Sequence, residues 1–222
     1  MSKIVPARPL LIMLYGYPGA GKSYVARQLA NSLSAAHVQG ERIRHDLFSA
    51  PSYDRSENEA VMNLMNYLTQ EFLGAGMSVI FDTNVLRAAQ RLALRNLAKK
   101  YKSQPLLVWL QIDPDSAYLR TQRRDRRKSD DRYSDPVDRK TFEAIMSNMQ
   151  NPTNAEDYVV VSGKHVFNTQ LSAILKKLND MNMLQHIDDL SSGLAKPGLV
   201  NLIPNPNSGR VDLKRRQNIV IR

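Results

Sequence analysis

The chain is 222 residues long, with 42% hydrophobic and 23% charged residues, which allows one sizeable core and an appendage rather than two full domains. It has no cysteine, which excludes disulfide frameworks, thiolate metal sites and cysteine nucleophiles. Thirty-one Lys and Arg against 21 Asp and Glu leave a formal charge of +10, and the longest apolar run is far short of the roughly 20 residues that cross a bilayer, so a soluble, cytoplasmic protein without a membrane partner is expected.

Residues 10–15 (LLIMLY) are an unbroken apolar run that stops at glycine, the pattern of a strand buried on both faces of a parallel sheet. A glycine-rich loop follows, and then residues 24–33 carry Val25, Leu29 and Leu33 at helical spacing. Residues 37–39 suit a short second strand, with a helix beginning near Glu41. The stretch 58–73 puts Val61, Leu64, Met65, Leu68 and Phe72 on one stripe, ended by Gly74 and Gly76. Residues 77–81 read as a third buried strand ending at Asp82, 87–100 as a helix, and 106–112 as a fourth strand before Asp113 and Pro114. A fifth strand at 158–161 precedes a last helix over 169–179. Strands alternating with helices at this spacing imply a doubly wound α/β fold, because parallel neighbours need crossover connections. A sheet of about five strands with helices on both faces, over residues 1–182, is the expected domain.

Beyond it the texture changes. Residues 183–222 read as a basic extension, broken by prolines, glycines and asparagines, with short pairing expected at 199–203 and 219–221. Its last 32 residues hold six basic groups and one acid, a net +5. A second concentration, residues 120–140, has nine basic residues and five acids.

Residues 16–23 read GYPGAGKS and fit the pattern G-x-x-x-x-G-K-[ST]. Glycines at such spacing let consecutive backbone N–H groups turn inward around an anion at a helix N-terminus. Gly16, Pro18, Gly19, Ala20, Gly21, Lys22, Ser23 and Tyr24 are therefore the expected nucleotide-binding residues, with Lys22 reaching the phosphates and Ser23 ligating Mg²⁺. The guanine-reading N-K-x-D run of a GTPase is absent, which argues against that class; ATP with Mg²⁺ is the expected cofactor pair, and the sequence does not specify adenine against guanine. The four histidines show no paired metal spacing. Trp109 and the methionines at helical spacing read as core.

Several segments together resemble the P-loop kinases that include 5′-hydroxyl polynucleotide kinases, the short AAA-type ATP-binding kinases of bacteria and, more distantly, zeta toxins and gluconate kinases. The matching residues are GYPGAGKS, the stretch from Gly40 through Glu41, Arg44 and Asp46, the run of Asp82, Thr83 and Asn84 followed by Arg91, and Arg120 with Arg124 after Asp113 and Pro114. The resemblance covers roughly residues 10–150. It implies a three-layer P-loop kinase fold with an arginine-rich lid at about 120–140. It also implies a base that takes the acceptor proton, for which Glu41 stands first and Asp46 second, with Arg44 beside the acceptor. Asp82 would hold Mg²⁺ or position the acceptor with Thr83 and Asn84, or else simply cap the following helix. Arg91 is an acceptor-phosphate ligand or a solvated helix residue. On a helix, Arg120, Arg123, Arg124 and Arg127 share one side and can close over a triphosphate, while residues 128–136 read as a loop.

The acceptor stays open at this point. A nucleic-acid 5′-hydroxyl gripped by the basic lid and tail is the first expectation, a small metabolite (sugar, nucleoside, antibiotic or sugar nucleotide) the second, and an ATP-binding assembly module that docks a partner through its tail the third. No sequence feature specifies the oligomeric state.

Overall fold

The computed structural model describes residues 4–125 and 132–184. Five strands, β1 (Leu10–Tyr15), β2 (Ala36–Gln39), β3 (Val79–Asn84), β4 (Gln104–Gln111) and β5 (Tyr158–Ser162), form one parallel sheet in the order β2-β3-β1-β4-β5. The doubly wound reading therefore holds. The connections are helical: α1 (Lys22–Leu33), α2 (Gly40–Leu47), α3 (Arg55–Gly74), α4 (Ala88–Lys100), α5 (Pro114–Gln122), α6 (Arg139–Ser147) and α7 (Phe167–Asp180).

The apolar run of β1 is buried along its whole length because it lies between two helical layers. Successive strand residues point to opposite faces. Leu10, Ile12 and Leu14 pack in one core with Val25, Ala26 and Leu29 of α1 and with Ile174 and Leu178 of α7. Leu11, Met13 and Tyr15 pack in the other with Val61 and Met65 of α3 and Leu94 and Ala98 of α4. Among the described residues no helix is long and apolar enough to cross a membrane.

The strand order places the C-terminal ends of β3 and β4 on either side of β1, so whatever follows β1 is flanked by what ends β3 and β4. In open α/β sheets the crevice at those carboxyl ends is where ligands bind. Three elements differ from expectation. Strand β3 runs on through Asp82, Thr83 and Asn84, and the next helix is capped by Arg87, so Asp82 is no helix cap. The register slips between Met13 and Leu14, which faces Asn84, leaving Asp82 and Thr83 without β1 partners. Such an irregularity re-aims the side chains it carries. Helix α5 stops at Gln122, so Arg120 is helical while Arg123 and Arg124 are not, and Arg127 lies outside the described residues. Four arginines at helical 3 and 4 spacing would repel one another, and the chain instead turns back: Gln122 Nε2 donates to the Val137 carbonyl at 2.6 Å and Arg124 to the Asp135 carbonyl. Helix α6, which the sequence reading left out, begins on that return, with the Asp138 carboxylate accepting from the Thr141 N–H at 3.0 Å. Residues 126–131 and 185–222, which include part of the expected loop and nearly all of the basic extension, lie outside the described residues.

Candidate active site: a P-loop cleft

The loop between β1 and α1 needs its glycines. Gly19 and Gly21 have φ of +81° and +96°, and Gly16 has φ of +149°. A side chain on Gly16 would stand 2.5 Å from the Leu110 carbonyl oxygen of β4, and one on Gly19 would strike the backbone of α5 at Ala117. Glycine thus lets the loop lie flat against β4 and α5.

Helix α1 differs in its capping from α3, α5 and α6, whose first turns are closed by Asp54, Asp113 and Asp138. Among the described residues no side chain caps it, and no acid occupies its first turn. Its orphan N–H groups and positive dipole end therefore face the cleft, an arrangement that takes an anion. The Lys22 ammonium folds back over the loop and donates to the carbonyls of Gly16 and Tyr17, each at 2.9 Å. Burial pushes its pKa down to about 8, the Asp82 carboxylate opposes this, and Arg124 adds to it. A partly buried cation so desolvated gains most from a multiply charged anion beside it.

Ser23 and Asp82 meet at the floor. Ser23 Oγ donates to Asp82 Oδ1 at 3.2 Å, and Asp82, only 3% exposed, also lies 2.9 Å from His37 Nε2 through Oδ2. The donor set is oxygen only, one carboxylate and one hydroxyl beside a phosphate cradle, which suits Mg²⁺ completing its shell with phosphate oxygens and water. Among the described residues no cluster of three or more His, Asp or Glu could hold a metal ion by itself.

Across the cleft, α2 presents Glu41. Its carboxylate accepts from the Tyr53 hydroxyl at 3.2 Å and lies 3.6 Å from Arg44. The walls around it raise its pKa, while Arg44, Tyr53, His45 and Arg124 pull the other way without cancelling the effect of burial. Its side chain remains 41% exposed, toward the cleft it lines. Tyr53 adopts φ of +57°, rare for a bulky residue, and is held there by Asn58 Nδ2 donating to its carbonyl at 2.8 Å and by the Arg44 guanidinium over its ring. The cleft has a volume of about 820 Å³. Lys164, His165 and Gly163 after β5 close one side, and Arg120, Arg123 and Arg124 with residues 134–138 close another. Arg120 donates to the Gly163 carbonyl at 2.8 Å, tying α5 to that edge.

Most of the sequence-predicted residues meet here: Pro18, Gly19, Ala20, Gly21, Lys22, Ser23, Tyr24, Glu41, Asp82, Thr83, Asn84, Arg120 and Arg124 all line the cleft. Three do not. The Asp46 side chain is 63% exposed and pairs with Arg42 at 3.6 Å on the outer face of α2. Arg44 is buried beneath the site, bound to Glu57 and donating to Asn58 Oδ1 at 2.7 Å, so it braces Glu41 and Tyr53 instead of meeting an acceptor. Arg91 is 0% exposed. It donates to both Glu156 oxygens, at 2.7 and 3.0 Å, and to the carbonyls of Val85 and Leu86 at 3.2 Å, and packs over the Tyr15 ring. Burial pushes Glu156 up, but the hydrogen bonds and charge of Arg91 outweigh it and hold the carboxyl low. Removing one member of a buried pair strands the other, so Arg91→Ala is expected to cost about 3–5 kcal/mol of unfolding free energy, and Arg91→Met with Glu156→Leu far less. Denaturant unfolding of both variants checks this; an Arg91→Ala midpoint equal to the wild type would refute it.

Sequence reading missed Tyr53, Lys164, His165 and His37. Tyr53 reaches Glu41 through a loop fold with no sequence signature. The β5 loop did carry a signal in Gly163, where a side chain would come within 2.7 Å of the Ala20 carbonyl.

A family model described as an AAA domain matches residues 11–152. Among curated proteins, the L-seryl-tRNA(Sec) kinase of Methanococcus maripaludis is 28% identical over 103 residues, 46% of this chain and 40% of that protein. The chain thus spans well under half of that relative. Among solved structures, Kti12 of Chaetomium thermophilum, in complex with ADP-AlF3, has a TM-score of 0.61 at 19% identity, covering 76% of this chain and 97% of that one. A gluconokinase from Sinorhizobium meliloti 1021 has a TM-score of 0.58 at 17% identity, covering 78% and 94%. These structures share the fold.

Proposed function

Because the chain belongs to the AAA domain family, whose model spans residues 11–152, we propose that the cleft is the active site of an ATP-dependent phosphotransferase acting on a hydroxyl group. One observation carries the reading: a partly buried carboxylate, Glu41, held by Tyr53 and Arg44, faces the same cleft as the P-loop. Phosphoryl transfer asks a protein to position the reactants and neutralise charge more than to react covalently. Lys22 and the free N–H groups of α1 neutralise the phosphates, and Arg120, Arg123 and Arg124 close over them from the side. Glu41 accepts the acceptor's proton as its oxygen bonds to the γ-phosphorus, while the bond to the β–γ bridging oxygen breaks and ADP leaves. Thr83 and Asn84 orient the acceptor. The buried Asn84 Oδ1 has no hydrogen-bond partner among the described residues, so it can accept from an acceptor hydroxyl or amine. Ser23 and Asp82 are the residues that would hold Mg²⁺, which when bound shields the phosphate oxygens.

The acceptor we favour is a hydroxyl carried on a nucleic acid, with a 5′-hydroxyl as the first candidate. Three things support it: the resemblance to polynucleotide kinases, the partial match to a protein named for a tRNA-borne acceptor, and the distribution of cations. A second cavity of about 470 Å³, at the opposite end of the sheet, is lined by Arg8, Arg95, Lys99 and Lys102. Its two acids are engaged, Glu156 by Arg91 and Asp157 by Gln104 and Lys177. Such a surface holds a phosphate backbone by charge. The basic extension would add to it. A small metabolite is the second reading, favoured by a cleft no larger than a nucleotide and one small molecule fill.

The test is transfer of labelled γ-phosphate from ATP with Mg²⁺ to 5′-hydroxyl RNA and DNA oligonucleotides, beside a panel of sugars and nucleosides. Label on the oligonucleotide, with affinity falling steeply as salt rises, is expected. Label on a small molecule alone would overturn the nucleic-acid acceptor. ATP binding with no transfer to any acceptor would overturn the phosphotransferase reading and favour an assembly module.

A further inference from the structure

We infer that His37, on β2, is a positioning residue for the metal side of the cleft: it locks the Asp82 carboxylate in the orientation that presents Oδ1 to Ser23. The inference rests on the proposed role of Ser23 and Asp82 and names a residue that the phosphate-binding motif does not contain.

Strand β2 pairs with β3 so that His37 faces Ile80 and Gln39 faces Asp82, which brings the imidazole along the edge of the sheet toward the carboxylate. The contact is short and selective. Nε2 lies 2.9 Å from Oδ2, while Ser23 Oγ approaches Oδ1 at 3.2 Å, so each oxygen has its own partner. A carboxylate only accepts, so Nε2 carries the hydrogen in this pair. The Asp82 side chain is 3% exposed, against 21% for His37, so in the intact site the imidazole stands between Oδ2 and the solvent. At the end of β3 the register with β1 has slipped, so the Asp82 backbone is paired on one side only, with Gln39 of β2. The imidazole from that same strand holds the carboxylate itself. Outer-shell hydrogen bonds of this kind hold a ligating group's orientation, and losing one typically costs 10–100-fold in metal affinity.

The test measures binding of a non-hydrolysable ATP analogue by calorimetry, with Mg²⁺ and with EDTA, in the wild type and in Asp82→Asn, His37→Phe, His37→Asn and His37→Gln. The readout is the factor by which Mg²⁺ strengthens binding. His37→Phe and His37→Asn, which lack a donor or the reach, are expected to shrink that factor by about tenfold, with EDTA binding and melting temperature close to wild type. His37→Gln, which restores a donor of similar reach, recovers most of it. His37→Asn serves alone if His37→Phe does not fold. A wild-type Mg²⁺ factor in both His37→Phe and His37→Asn, or an equal loss with and without Mg²⁺, would overturn the inference. If Asp82→Asn itself leaves the factor unchanged, the assignment of Ser23 and Asp82 fails instead, so the two failures are told apart.

Discussion

Glu41→Gln is expected to lower turnover by about 10²–10⁴-fold, the range for a positioned general base, with nucleotide affinity unchanged. The amide keeps the shape and can still accept from Tyr53, so the loss measures the missing proton acceptor. Because burial holds the Glu41 carboxyl above its ordinary value, the ionised base is fully present only above that raised pKa. Activity should therefore rise with pH through an acid limb displaced upward from the usual carboxylate range, and Glu41→Gln should abolish that limb along with the rate. A pH profile of kcat/KM for both proteins is the measurement. A fully active variant would remove Glu41 from the role of base, and Asp46, 63% exposed and paired with Arg42 outside the cleft, could not take its place.

Lys22→Ala is expected to reduce turnover by about 10²–10³-fold and to weaken ATP, with the fold intact. The fold should survive because, among the described residues, the Lys22 ammonium donates only to the Gly16 and Tyr17 carbonyls of the loop. Its removal even relieves a buried charge, as the fall of its pKa to about 8 indicates. The loss is confined to a state in which phosphate charge lies against the loop. Equilibrium unfolding alongside single-turnover kinetics separates the two effects; a variant that unfolds easily would show the lysine to be structural.

These expectations differ in how early they were legible. The P-loop could be read outright, since its glycines, Lys22 and Ser23 act through backbone geometry within eight consecutive residues. Strand β1 was equally plain, because burial on both faces removes polar residues from the whole run. Periodicity also placed α1, α3, α4 and α7. The ends of elements were harder. Asp82 read as a strand end with helix capping as the alternative, and the pairing of β3 with β2 resolved it.

Arginines were the least legible. Arg91 and Arg120 both lie near motif residues, yet one is sealed under the sheet by Glu156 and the other bonds at the cleft's edge, because a guanidinium's role depends on which carboxylate or carbonyl the fold brings to it. Glu156 is 65 residues away from Arg91, and no local spacing encodes that meeting. The same holds for His37 with Asp82, 45 residues apart. The parallel α/β order and the anion cradle were legible in the chain alone, since both follow from local backbone preference and from which stretches must be buried. Which acid faces the cradle, which arginines are spent inside the core and what steadies Asp82 were decided only by tertiary structure, because each depends on a partner supplied by a distant strand, helix or loop.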